Sequence, residues 1–156
     1  MPMPHKSPQP RPAIPFSILV VDDNIDFGEF LSLLLAHQGY VVRTATSGQQ
    51  CLDEVRQQRP DLIVLDVMMP QMDGIEVCRR LKQDEVSTPV FLLTAKDDLA
   101  TRTKAIELAV SEFLAKPVNI EDFLTRVGAQ CKVRQWDQEL DAALPVNAQD
   151  GSQFRQ

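Results

Sequence analysis

The chain has 156 residues, of which 44% are hydrophobic and 24% are charged, a composition typical of one globular domain. Because 22 acidic side chains outnumber 16 basic ones and no dense Lys/Arg cluster offsets the net charge of -6, direct nucleic-acid binding is disfavoured. No apolar run approaches the ~18 residues of a membrane-spanning helix, and the proline-rich polar N-terminus lacks a signal-peptide core, so we expect a cytoplasmic protein without membrane contact.

The first 15 residues contain six of the 11 prolines and are predicted to be a disordered tail (1-15), because proline lacks an amide donor and fixes φ. From Phe16 onward, short β-branched apolar runs alternate with longer amphipathic stretches, as in the βα units of a parallel sheet. The predicted strands are Ser17–Val21, Tyr40–Thr44, Asp61–Asp66, Pro89–Thr94 and Ser111–Ala115.

Five helices are predicted from apolar side chains at helical spacing, with Ser47 capping the second helix and Asn119 the fifth. The apolar positions are Phe27, Phe30, Leu31 and Leu34; Cys51, Leu52 and Val55; Gly74, Cys78 and Leu81; Leu99, Thr103 and Ile106; and Ile120, Phe123, Leu124, Val127 and Cys131. Strands and helices in alternation predict an α/β doubly wound sheet, which binds ligands at the carboxyl ends of its strands.

The three cysteines are not predicted to form a functional site. Cys51, Cys78 and Cys131 lie far apart, are odd in number and lack CxxC or Cys/His spacing. Neither a disulfide framework nor a zinc site is therefore indicated, and buried thiols are expected.

Polar residues interrupt the apolar runs at the carboxyl ends of the predicted strands. Asp22 and Asp23 follow the first strand, Asp66 ends the third, Thr94 ends the fourth and Lys116 follows the fifth. Carboxylates crowded at the edge of a buried sheet repel one another and lose hydration, and a divalent cation relieves both costs. Oxygen ligands without His or Cys favour Mg²⁺ or Mn²⁺.

Such an ion usually holds phosphate oxygens beside one or two carboxylates, so the predicted site anticipates a phosphoryl group. Lys116 supplies a positive charge and Thr94 a hydroxyl donor for the phosphoryl oxygens. Asp66 is left as the nucleophile, and the product would be an aspartyl phosphate.

Four motifs occur in order at these strand ends: VVDD, LDVMMPQMDG around Asp66, LTA at Thr94 and KP at Lys116. Together they resemble the receiver domain of bacterial response regulators (CheY-like), over a stretch from Phe16 to about Cys131. The resemblance implies a flavodoxin-like (βα)5 fold with strand order 2-1-3-4-5. It also implies that a sensor histidine kinase or a phosphotransfer protein supplies the phosphoryl group.

The resemblance implies a role for each residue of the acidic cluster. Asp66 matches the phosphoacceptor, Asp23 the acid that ligates Mg²⁺ directly, and Asp22 the acid that acts mostly through bound water. The main-chain carbonyl of Met68 matches the third protein ligand of the metal.

The resemblance also implies a switch. Thr94 matches the switch hydroxyl, and Phe113 matches the aromatic side chain that swings inward behind it. Lys116 matches the lysine that pairs with Asp66 and then with phosphate, and the Lys116-Pro117 bond is expected to be cis.

Three positions depart from the family pattern or from helix preference. Most receivers have a Gly-rich turn after the fourth helix, where this chain has Leu108-Ala109-Val110, and an Ala forced to positive φ costs about 1 kcal/mol relative to Gly. The fourth helix is therefore expected to end differently. Gly28 inside the first helix carries a similar cost of about 1 kcal/mol. Phe113 lacks the hydroxyl of the commoner Tyr, so its two states differ mainly in apolar burial.

Residues 16-131 are predicted to form the receiver domain, 132-144 a helical extension of the fifth helix that Pro145 ends, and 145-156 a disordered tail. An apolar seam in this region repeats with spacings of 4, 3, 4 and 3 and points away from the domain core; its members are Ala129, Val133, Trp136, Leu140 and Ala143. Burying each large side chain is worth about 1.5 to 3 kcal/mol, so we expect a weak or phosphorylation-aided homodimer through the fifth helix. The alternative is a seam that folds back on its own domain.

About 25 residues follow Cys131, too few for an output domain. The leading hypothesis is a single-domain response regulator that signals to an unknown protein target and catalyses only its own aspartyl phosphorylation and slow self-dephosphorylation. An alternative is a regulatory receiver within a longer effector protein. A haloacid dehalogenase-like phosphotransferase needs a second acid where Met68 stands, and a flavin or dinucleotide binder needs a Gly-rich or hydroxyl-rich loop after the first strand.

Overall fold

The structure is a computed structural model that describes residues 15–95 and 98–143. The described elements are β1 (Ser17–Val21), α1 (Ile25–His37), β2 (Val41–Ala45), α2 (Gly48–Gln57), β3 (Leu62–Asp66), α3 (Gly74–Gln83), β4 (Val90–Thr94), α4 (Leu99–Glu107), β5 (Glu112–Ala115) and α5 (Ile120–Ala143). The five predicted strands, the five predicted helices and the extended C-terminal helix are thus confirmed. Apart from Pro15, the two predicted disordered tails and Leu144 lie outside the described residues.

The strands form one parallel sheet in the order β2-β1-β3-β4-β5, which confirms the predicted doubly wound, flavodoxin-like topology. The strand order reverses between β1 and β3, so these neighbouring strands flank the ligand-binding crevice of this fold class. Val21 pairs with Leu65 across the two strands. Asp22, the next residue after Val21, is therefore level with Asp66 at the end of β3.

The central sheet separates two hydrophobic clusters because alternate residues of each strand face opposite sides. Leu19, Leu65 and Leu92 belong to the cluster covered by α2 and α3, whereas Val64 and Phe91 belong to the cluster covered by α1 and α5. The strands β1, β3 and β4 are buried almost throughout, as their continuous apolar runs predict. The edge strands β2 and β5 are more exposed.

Four strands begin one residue later than predicted. At β2, the N–H of Tyr40 donates to the carbonyl of Leu35 at 3.3 Å and so belongs to the turn that ends α1. At β4, Pro89 has no N–H to give to the ladder. The other two one-residue shifts are at β3, which begins at Leu62, and at β5, which begins at Glu112.

Two predicted helix faces are corrected. In α1, Phe30 is half exposed, and Leu35 is buried together with Leu31. The stripe predicted for α4 is wrong, since Leu99 is 81% exposed and Ile106 is 73% exposed. The one buried residue of this described helix is Ala105, one position and hence about 100° from Ile106, so α4 turns its small side chain to the sheet.

The prediction of buried thiols holds for two of the three cysteines. Cys51 and Cys78 are buried, and burial raises the pKa of each thiol to about 12, which keeps both protonated. Cys131 is only partly buried and packs at the margin of the cluster covered by α1 and α5.

The turn after α4 keeps the left-handed residue that Gly usually supplies. Ala109 adopts a φ of 55°; its N–H donates to the carbonyl of Ile106, and the N–H of Val110 donates to the carbonyl of Ala105. The expectation that α4 ends differently is therefore wrong: the backbone hydrogen bonds of the turn hold the alanine in this conformation.

The substitution Ala109→Gly is expected to raise the free energy of unfolding by about 1 kcal/mol, because Gly adopts positive φ without strain. Urea denaturation followed by circular dichroism measures the change. The matched control is Ala100→Gly in the helical backbone of α4, which should lower the stability by up to about 1 kcal/mol. Equal losses in both variants would contradict the strain at Ala109.

Candidate functional site

Three carboxylates meet at the carboxyl end of the sheet. One oxygen atom from each of Asp22, Asp23 and Asp66 lies within 4.8 Å of the others. Asp22 and Asp66 are almost completely buried, whereas Asp23 is exposed. The proximity follows from the topology, because β1 and β3 are neighbours and end at the same level.

The described part of the chain places one ammonium group against this cluster. Lys116 Nζ lies 2.8 Å from Asp22 Oδ2 and 3.5 Å from Asp66 Oδ1. The backbone N–H of Lys116 donates to the carbonyl of Thr94, and the Lys116–Pro117 bond is cis, as expected. The resemblance implied a pairing of Lys116 with Asp66, but the shorter contact is with Asp22. The lysine therefore bridges the two buried carboxylates.

Phe27 contributes to the position of this lysine, a role that the sequence analysis missed. Its ring centroid lies 4.5 Å from Lys116 Nζ, within the range of a cation–π interaction. Phe27 is in the first turn of α1, which begins beside the acidic cluster because Asn24 caps it by accepting from the N–H of Phe27. Helical spacing placed Phe27 on the apolar face of the first helix, but no pattern in the sequence links it to Lys116, 89 positions away.

The electrostatics of the site disfavour a charged Asp66 in the metal-free protein. Burial, followed by the negative charge of Asp22, raises the pKa of Asp66 to about 6. Lys116 and the N–H of Met68, which donates to Asp66 Oδ1 at 3.3 Å, act in the opposite direction. Lys116 does not fully offset the rise in the pKa of Asp66 that burial and the charge of Asp22 cause. This donor set of oxygen atoms with excess negative charge fits a hard divalent cation.

The predicted switch residues lie on the two strands beyond the acidic cluster. Thr94 is fully buried at the end of β4, and Phe113 of β5 is partly buried against the cluster covered by α2 and α3. The guanidinium of Arg102 in α4 lies 4.9 Å from the centroid of the Phe113 ring. The sequence analysis did not identify Arg102. Its contact links the ring to α4.

The loop from β3 to α3 requires a glycine. A Cβ atom on Gly74 would lie 2.5 Å from the backbone oxygen of Asp66, which no side chain tolerates without a shift. The N–H of Gly74 donates to the carbonyl of Val67, and Asp73 caps α3 by accepting from the N–H of Glu76. By itself, an Asp-Gly pair is typical of any turn and helix start. The close approach to Asp66 depends on how α3 returns to the end of β3.

The substitution Gly74→Ala is expected to lower the free energy of unfolding by about 1 to 3 kcal/mol, because the added methyl group displaces the backbone of Asp66. Thermal denaturation measures the loss. The control is Gly28→Ala in α1, where a Cβ atom meets nothing within 4 Å and a gain of up to about 1 kcal/mol is expected. A neutral Gly74→Ala would contradict the close approach.

The comparisons with known proteins agree with this architecture. Residues 18–128 match the family model of the response regulator receiver domain. The chain is 40% identical over 116 residues to the response regulator MprA of Mycolicibacterium vanbaalenii, covering 74% of this chain and 50% of that protein. It is 41% identical over 112 residues to the alkaline phosphatase synthesis transcriptional regulatory protein PhoP of Bacillus subtilis, covering 72% of this chain and 47% of that protein.

The similarity extends to solved structures. The chemotaxis protein CheY4 of Vibrio cholerae is 30% identical and superposes with a TM-score of 0.69, covering 74% of this chain and 98% of CheY4. The chain spans about half the length of the curated relatives it matches. Within residues 15–95 and 98–143, no helix has the length and apolar character needed to cross a membrane. Since the family match covers most of the chain and extends from the second residue of β1 into α5, the chain belongs to the response regulator receiver domain family of two-component signalling proteins.

Proposed function

We propose that this chain accepts a phosphoryl group on Asp66 from a sensor histidine kinase or a phosphotransfer protein. The observation that carries the proposal is the convergence of three carboxylates within 4.8 Å at one sheet edge, with Lys116 between the two buried ones. Asp22, Asp23, Asp66 and the main-chain carbonyl of Met68 are the proposed ligands of Mg²⁺ or Mn²⁺. When bound, the ion neutralises negative charge and lets the anionic donor approach a carboxylate.

Asp66 is the proposed nucleophile. Met68 N–H and Lys116 both contact Asp66 Oδ1, which leaves Oδ2 as the oxygen that attacks phosphorus. A bond forms between this oxygen and phosphorus while the bond from phosphorus to the donor breaks, and its electron pair leaves with the donor atom. The product is an aspartyl phosphate. The chain then catalyses only its own phosphorylation and slow hydrolysis, so it acts as a signalling module.

The phosphoryl group changes the charge balance that Lys116 experiences. The added negative charge at Asp66 draws the ammonium from Asp22 towards the phosphoryl oxygens. The hydroxyl of Thr94 donates to another of these oxygens, and its movement opens space behind it for Phe113. Since Arg102 contacts the Phe113 ring, we propose that the surface formed by α4 and β5 changes with phosphorylation.

For the whole protein, we propose a single-domain response regulator of the cytoplasm, built from a receiver at residues 16-131, that signals by contact with another protein and binds neither nucleic acid nor membrane directly. The 98% coverage of CheY4 supports this reading. The 50% coverage of MprA and the 47% coverage of PhoP, named a transcriptional regulatory protein, favour the second candidate, a regulatory receiver within a longer effector.

Acetyl phosphate tests the proposed reaction without a cognate kinase. The 156-residue chain is incubated with this donor and Mg²⁺, and its intact mass is expected to increase by one phosphoryl group. Chelation of the metal should prevent the increase, because the ion must offset the acidic cluster. A gain in mass that is unchanged by chelation would refute the metal-assisted mechanism.

A further inference from the structure

The helix α5 extends well beyond the domain that it covers. Its first half contributes Phe123 and Val127 to the core, and both are completely buried. Further along, Val133 is 46% exposed, Trp136 is 61% exposed and Leu140 is 63% exposed. These three exposed side chains, with Ala129 and Ala143, form the seam predicted from the sequence.

An ion pair fixes the side on which the seam lies. Arg134 follows Val127 by seven residues, about two helical turns, and so continues the core-facing side of α5. Its Nε lies 3.3 Å from Asp61 Oδ1, and Asp61 Oδ2 accepts from the N–H of Ser17 in β1. The core-facing side of the extension is therefore attached to the domain. Val133 borders the groove between α5 and Pro60, whereas Trp136 and Leu140 lie on the side of the helix away from the domain. The exposure of Trp136 and Leu140 argues against a seam that packs on its own domain.

The spacing of the seam defines a short heptad pattern. Val133 and Leu140 occupy a positions, and Trp136 occupies the d position between them, flanked by alanines at the neighbouring d positions. Lys132 is at a g position and Asp137 is at the e position five residues later. In a parallel pair of helices, these are the positions that face each other across the interface.

Lys132 and Asp137 are available for such a contact. Both side chains are exposed, and neither forms an ion pair with another residue of the described chain. In a parallel dimer, symmetry brings Lys132 of each copy beside Asp137 of the other copy, so the attraction occurs twice. This charge complementarity identifies a second copy of the chain as the occupant of the seam.

We infer that the seam binds a second copy of this chain in a parallel, in-register coiled coil, with Lys132 of each copy paired with Asp137 of the other. The charged residues Asp122 and Arg126 precede the seam at the equivalent heptad positions, and they limit the apolar contact to the region from Ala129 onward. The contact spans about two heptads, so the dimer is weak and forms at micromolar concentrations.

Sedimentation equilibrium of the 156-residue chain without a phosphoryl donor tests the inference independently of Asp66. The wild type is expected to dimerise in the micromolar range, and Trp136→Glu should weaken the dimer at least about tenfold. The control Gln135→Glu adds the same charge one residue away, outside the seam, and should leave the dimer unchanged. Circular dichroism verifies that both variants fold. A monomeric wild type at high micromolar concentration, or equal effects of the two substitutions, would overturn the inference.

Charge exchange tests the register and the direction of the helices. Lys132→Glu and Asp137→Lys should each weaken the homodimer, because like charges then face each other twice. An equimolar mixture of the two variants should recover dimerisation, since Glu at 132 then faces Lys at 137 and Lys132 of the other copy faces Asp137. In an antiparallel coil these positions do not face each other. A mixture that recovers nothing would therefore overturn the parallel arrangement.

Discussion

Replacement of Asp66 by Asn is expected to abolish phosphoryl uptake from acetyl phosphate, whereas Asp73→Asn should leave it essentially unchanged. An amide lacks the nucleophilic oxygen that forms the aspartyl phosphate. Asp22, the other buried carboxylate of the described residues, does not take its place, because it is held by Lys116 and by the N–H of Asn24. Intact mass in Mg²⁺ buffer measures the uptake, and peptide mapping locates the phosphoryl group.

Asp73 makes a stringent control because it lies on the same loop, seven residues after Asp66. Its carboxylate caps α3 by accepting from the N–H of Glu76 at 2.8 Å, a task that asparagine performs equally well. Both variants are therefore expected to keep the fold, and each removes one negative charge. Phosphorylation that persists in Asp66→Asn, or that is lost to the same extent in Asp73→Asn, would contradict Asp66 as the acceptor.

The metal-free chain is expected to lose stability through Asp66 as the pH rises from about 4 to about 6. Burial and the charge of Asp22 raise the pKa of Asp66 from its ordinary value of 3.8 to about 6, so the folded state holds this proton more tightly than the unfolded state. The contribution of Asp66 to stability is complete below the lower value and is lost as the pH passes the higher one.

At neutral pH, Asp66→Asn is therefore expected to be more stable than the wild type, by about 1 to 2 kcal/mol once solvent screening of the site is considered. The stability difference between the two proteins, measured by urea denaturation at a series of pH values in EDTA, should grow between about pH 4 and pH 6. Taking this difference removes the contributions of the other carboxylates. A difference that is constant over this range would contradict the raised pKa.

Addition of Mg²⁺ at neutral pH provides the complementary measurement. An ion that binds only the folded chain raises the free energy of unfolding. At ion concentrations above the dissociation constant, this gain grows with the logarithm of the concentration. The wild type should gain stability in Mg²⁺, and Asp66→Asn should gain less because it has lost one anionic ligand. Equal gains would place the ion elsewhere on the protein.

The sequence by itself was sufficient to predict the order of the elements and the edge of the sheet where the polar residues gather. Buried parallel strands need continuous apolar runs, and their carboxyl ends lie at one edge, so residues such as Asp22, Asp66 and Thr94 could be grouped without coordinates. The exposed seam of α5 was also predictable, since helical periodicity determines the direction of a side chain relative to the core face of the same helix.

Only the tertiary structure decided the contacts between elements that are distant in the chain. The ammonium of Lys116 lies closer to Asp22, which is 94 residues away in the chain, than to Asp66. The ring of Phe27 lies against the same ammonium. In α4, Ala105 faces the sheet while Leu99 is exposed, although periodicity favoured the larger residue. Each of these outcomes depends on how far one element stands from another and on its rotation about its own axis. Packing of the whole domain sets both quantities, and a local pattern of residues contains neither.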